Sequence, residues 1–213
     1  MDTIFKLILL ILLIISSYIL SINIGIWSIF PIWVLCGLID VSRHKTMNLK
    51  LLKEYFCGKG FLTFILSPLN LFSDLLSLRN LHTFKVEDLP KEHQDEVNDI
   101  ISLFDKNSKE IGKRFEDAVS DNRSMLFYQW YGYKLDETII DFNNDYKYIK
   151  TIGVSLFREK TSTSRHFGPL RITYRILYNF NKVQNEGSFI EADGRINKWK
   201  YNPLFIFDDT LIH

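Results

Sequence analysis

Hydrophobic positions are spread unevenly along this chain, and the unevenness divides it into three parts. No side chain in residues 7–39 is charged. As one helix that run would be about 50 Å long, against a hydrocarbon core of about 30 Å, so a single upright span cannot use it all. Asn23, Gly25 and Pro31 interrupt it. The pattern predicts either two short membrane helices turning near residues 22–25 or one tilted helix with an interfacial continuation. A cleaved signal peptide is not expected, because Ser16-Ser17 is the nearest approach to a small-residue cleavage site and apolar sequence resumes at once. Arg43, Lys45, Lys50, Lys53 and Lys59 follow the run, whereas Lys6 is the lone basic residue before it. That asymmetry predicts a membrane localisation with the bulk of the protein on the cytoplasmic side.

Residues 61–78 are again strongly apolar but are broken by Pro68 and carry Asp74. They are too interrupted to span. An interfacial ledge lying in the membrane plane and a core helix of the domain that follows both fit this pattern. In residues 92–119, Val97, Ile100, Ile101, Phe104, Ile111, Phe115 and Val119 recur at helical spacing between charges, with Pro90 close to the start, so a long helix is predicted. Afterwards the character changes. Residues 125–133, 148–157, 171–180, 187–191 and 204–207 read as strands separated by Asn, Gly and Pro turns. The organisation expected is a membrane anchor over 1–42, a basic juxtamembrane segment with an apolar ledge over 43–89, and an α+β domain over 90–213 whose sheet closes into a sandwich or barrel.

Charge and cysteine content narrow the function classes. With a formal net charge of +1 and no basic stripe interleaved with aromatics, nucleic acid is not an expected partner. Cys36 and Cys57 are too few for a disulfide framework and have no companion at metal-finger spacing, so both read as apolar packing.

Candidate chemistry sits in the strand-rich part. His166 lies at a Gly-Pro turn in Ser164-Arg165-His166-Phe167-Gly168-Pro169, and the run Phe207-Asp208-Asp209-Thr210-Leu211-Ile212 leads to His213. Strand alternation in residues 171–180 puts Thr173, Arg175 and Leu177 on one face and Ile172, Tyr174, Ile176, Tyr178 and Phe180 on the other. An arginine flanked by apolar strand residues needs an anion, which is either a neighbouring carboxylate of the chain or the carboxylate of a ligand.

Taken in order, Ser155, the His166-x-Gly168-Pro169 step, Arg175, Trp199 and the Asp208-Asp209-x-x-x-His213 ending resemble the aspartyl/asparaginyl β-hydroxylase family of iron(II), 2-oxoglutarate-dependent dioxygenases. More loosely, the apolar N-terminus, residues 66–72 and Phe127-Tyr128-x-Trp130-Tyr131 look like the membrane-anchored branch that hydroxylates lipid A acyl chains. The resemblance implies a double-stranded β-helix (jelly-roll, cupin-like) domain with flanking helices. It implies His166 and His213 as ligands of Fe(II), with Ser155 and Arg175 on 2-oxoglutarate, O2 as co-substrate and no catalytic side chain beyond the metal ligands. The substrate it implies is a membrane lipid acyl chain; the alternatives are Asp or Asn side chains of a protein, or an inactive membrane-tethered interaction module.

Three departures bear on activity. Gly168 stands where most such enzymes have an acidic third ligand, as it does in the β-hydroxylases proper. Leu177 replaces a cofactor-binding histidine. The family's last strand, which carries a second arginine, does not follow His213, so the domain is expected to lack that strand, to turn over poorly, and to fray at its second histidine.

Overall fold

The computed structural model describes residues 15, 18, 19, 22, 29–45, 47–76, 83–118, 123–135, 146–158 and 161–213. Among the described residues, the first helices with stated bounds are α1 (Ile29–Val41), α2 (Leu49–Cys57), α3 (Phe61–Ile65) and α4 (Ser67–Leu76). A long helix α5 (Lys91–Ala118) follows the short strand β1 (Thr83–Phe84) and a single 3-10 turn. The remaining strands are β2 (Arg123–Trp130), β3 (Tyr133–Lys134), β4 (Ile152–Phe157), β5 (Tyr174–Tyr178), β6 (Phe189–Ala192), β7 (Arg195–Lys198) and β8 (Leu204–Asp208).

Local chemistry explains the boundaries. Asn48 caps α2 by accepting the Leu51 backbone N–H at 2.8 Å. Pro90 directly precedes α5, and its carbonyl accepts from His93 and Gln94. The β2–β3 and β6–β7 hairpins turn through Tyr131-Gly132 and Asp193-Gly194, all four residues at positive φ, which suits the right-handed twist of the strands.

The strands form two antiparallel three-stranded sheets, β1-β8-β5 and β3-β2-β4, and a separate β6-β7 hairpin. This corrects the jelly-roll expectation: the architecture is α+β with small antiparallel sheets, and the described residues form no closed barrel. The physical reason lies in α5. Its N-terminal half packs Val97 and Ile101 against Ile176 and Ile206 of the first sheet, and Phe104 and Ile111 pack against Tyr128, Ile152 and Val154 of the second. One helical stripe therefore covers both sheets, the task that a facing sheet performs in a sandwich.

The expected membrane helix is likewise not shown. Among the described residues no helix is long and apolar enough to cross a membrane. The 13 residues of α1 span only about 20 Å. Most of the uncharged run before α1 lies outside the described residues.

The ledge is tied into the fold. It forms α3 and α4, from which Thr63, Ser67, Asn70 and Asp74 are buried. Asp74 and Asp40 of α1 meet Arg171, which forms a close ion pair with Asp40 and reaches Asp74 Oδ2 at 2.6 Å. Asp208, at the end of β8, lies 3.5 Å from Arg171 Nε and 2.9 Å from Arg43 Nη2. Burial works against the charge on Arg171, but Asp40, Asp74 and Asp208 outweigh it and raise its pKa.

Candidate metal centre

His166 precedes β5 in an extended segment, and His213 follows the turn after β8. Their backbones pair reciprocally, with His166 N donating to His213 O at 2.9 Å and His213 N donating to His166 O at 3.1 Å. The expected fraying of His213 is therefore replaced by a fixed position. Residues paired in this way project their side chains to one side, and the two ring centres lie 4.3 Å apart at an interplanar angle of 58°.

Both rings are oriented through Nδ1. His166 Nδ1 lies 3.0 Å from Ser164 O, and His213 Nδ1 lies 2.8 Å from Leu211 O. A carbonyl only accepts, so the proton sits on Nδ1 in each ring, and it is Nε2 that carries the lone pair of the neutral imidazole. His213 Nε2 is buried and has no hydrogen-bond partner. An orphaned buried acceptor costs about 1–3 kcal/mol. Burial pushes the His213 imidazole down to about 4, with His166 and Arg175 adding to the shift and the Leu211 carbonyl and Asp209 opposing it. At neutral pH the ring is uncharged, as a metal ligand must be.

A carboxylate stands beside the pair. A Cβ on Gly168 would lie 2.2 Å from Asp209 Oδ2 and 2.6 Å from the Asp209 carbonyl, so only glycine leaves this hollow open. Asp209 fills it. Its Oδ1 accepts from Arg175 Nε at 2.6 Å and lies 3.8 Å from His213 Nε2. Residue 168 thus carries no acid, and Asp209 supplies a carboxylate to the same spot from the turn after β8.

Strand β5 presents Arg175 opposite Phe207 and Leu177 opposite Phe205. The Phe207 ring meets the His213 ring edge-on at 4.9 Å. Arg175 and Leu177 therefore share the histidine side of the sheet, whereas Tyr174 packs on Phe84 and Tyr178 donates to Asp105 on the other. Ser155 is not brought to this place. It is exposed on β4, in the other sheet and opposite Met125, and no described contact joins it to either histidine or to Arg175.

Three more residues position the site, and sequence reasoning missed them. Thr63 Oγ1 donates to Gly168 O at 3.0 Å, and Asn70 donates to Pro169 O while accepting from Arg171 N. His44 Nε2 accepts from Ile212 N at 3.3 Å and packs its ring on Phe167. Only the Asp208-Asp209 doublet gave any signal of the carboxylate.

Among the described residues no cluster of three or more His, Cys, Asp and Glu side chains is arranged around one metal position. The histidine pair nevertheless fits an ion: two imidazoles bonded at about 2.1 Å and about a right angle set their ring centres about 4.5 Å apart. No family model, curated protein or solved structure matches this chain, so the functional reading rests on the geometry of this pair.

Proposed function

We propose that the chain is an iron(II), 2-oxoglutarate-dependent hydroxylase whose metal is held by His166 and His213 and whose substrate is a lipid acyl chain. The observation that carries this reading is the pair of imidazoles with both Nδ1 atoms engaged by backbone carbonyls, one buried Nε2 having no partner. When bound, the iron supplies O2 activation driven by oxidative decarboxylation of 2-oxoglutarate. The residues themselves bind and orient. Ser164 O and Leu211 O fix the tautomers, and Phe207 excludes water from one edge of His213. Asp209 offers a negative charge beside a cation. Arg175 is 40% exposed and uses Nε on Asp209, so its Nη groups meet no partner among the described residues and can receive a carboxylate of the co-substrate.

Anaerobic titration with iron(II) and 2-oxoglutarate tests the assignment through the charge-transfer absorption of the chelate. The band should appear in the wild type and vanish in His166→Ala and His213→Ala. Equal iron affinity in the wild type and in the double-alanine protein would refute the proposal.

A further inference from the structure

The first helices are built inside out. Helices α1, α3 and α4 carry two charged side chains in all, Asp40 and Asp74, and both are buried. On α4 the buried positions are Ser67, Asn70 and Asp74, whereas Phe72 and Leu76, on the opposite side, are 50% and 72% exposed. On α3, Thr63 points inward and Leu62 and Ile65 point out; on α1, Asp40 points inward and Leu35 and Leu38 point out. A helix bordering water shows the reverse arrangement. Scattered apolar residues need no explanation, but three packed helices that turn every charge inward and a row of Leu, Ile and Phe outward do.

We infer that this face lies in the interfacial layer of an anionic lipid bilayer, with α1, α3 and α4 embedded in one leaflet up to their polar sides. Two further observations select lipid over a protein partner. Lys45 in the loop after α1, Lys50 and Lys53 on α2, and Lys59 in the turn after it are all exposed. They supply cations beside an uncharged apolar face, the pairing that matches phosphate headgroups above acyl chains. The uncharged run of residues 7–39 also includes α1 as far as Ile39. The inference does not depend on the chemistry assigned to the histidines, and metal titration tests that chemistry separately.

The test uses the full chain with Cys57→Ser, reconstituted into vesicles of phosphatidylcholine and phosphatidylglycerol. An environment-sensitive fluorophore is attached in turn to Leu62→Cys, Phe72→Cys and, as control, Lys109→Cys, an exposed position on α5. Emission at positions 62 and 72 should shift to the blue and be quenched at least about threefold by lipids spin-labelled high on the acyl chain. Position 109 should be unaffected. Lys50→Glu with Lys53→Glu should reduce the quenching in these vesicles and leave it unchanged in phosphatidylcholine alone. If the protein floats with vesicles while positions 62 and 72 stay as open to aqueous iodide as position 109, the run before α1 anchors it alone and the inference fails. It fails equally if Phe72→Cys cross-links copy to copy in the vesicles, which would assign the face to a second copy of the chain.

Discussion

Asp208 sends its carboxylate toward the helices, where Arg43 and Arg171 meet it, whereas its neighbour Asp209 sends its own toward Gly168, Arg175 and the two histidines. The end of β8 at Asp208 and the turn that begins at Asp209 divide the doublet between two buried polar sites. The first is closed: three carboxylates and two guanidiniums satisfy one another, and none of these charged groups is left without a partner. The second is open, because His213 Nε2 has none. Buried polarity alone therefore does not identify a site. What marks the second is an unpaired imidazole nitrogen beside another imidazole and a carboxylate.

The largest effect should come from the closed side. Arg171→Met leaves Asp40, Asp74 and Asp208 without their shared cation, and such a loss typically costs about 3–5 kcal/mol. We expect the variant to unfold at much lower urea concentration or to fail to fold. A midpoint close to that of the wild type would show that Arg43 alone can neutralise the cluster.

Gly168→Ala carries the attack to the open side. The new Cβ must displace the Asp209 carboxylate and its carbonyl, so a stability loss of about 2 kcal/mol or more should accompany weakened metal binding. Serine at the same position should behave no better, and wild-type stability in either variant would disprove the fit of Asp209 into the hollow.

Acid acts on the open site. The folded value for His213 is about 4, below the ordinary 6.5, so between these limits the unfolded chain holds more protons than the folded one. Stability should be complete above pH 6.5 and fall as pH drops toward 4, by on the order of 3 kcal/mol from this residue. His44, also lowered by burial, acts in the same direction. Urea midpoints of the metal-free chain at both limits measure the fall, and His213→Gln should flatten part of it.

The smallest effect belongs to Arg175. Its side chain is 40% exposed, so Arg175→Gln should cost less than about 1 kcal/mol of stability. It should weaken 2-oxoglutarate while leaving cobalt(II) affinity equal or higher, because Asp209 is released toward the histidines. Loss of cobalt binding in step with 2-oxoglutarate would give Arg175 a structural role.

How much of this was legible in sequence depends on how local the signal was. The helix expected over 92–119 appears as Lys91–Ala118, since its stripe repeats within each turn. Alternation put Arg175 and Leu177 on one face, and they stand there opposite Phe207 and Phe205. The hairpin strand Arg195–Lys198 was missed although Asp193-Gly194 marked its turn. The barrel was expected because five strand signals say nothing about what covers them, and α5 covers them here. Least legible was the inward direction of Asp40 and Asp74. Hydropathy reads each as a flaw at the edge of an apolar run, and their partner Arg171 lies far along the chain.

Asn70 sets a length scale. Its amide holds Pro169 and Arg171 on one side of α4, and Phe72 and Leu76 project from the other. A single helix is about 10–12 Å across. The wall between the segment bearing His166 and the outer apolar face is thus one helix thick. A chain end would have to rise from its leaflet by about one helix diameter to reach that segment, which is less than extraction of a whole lipid into water.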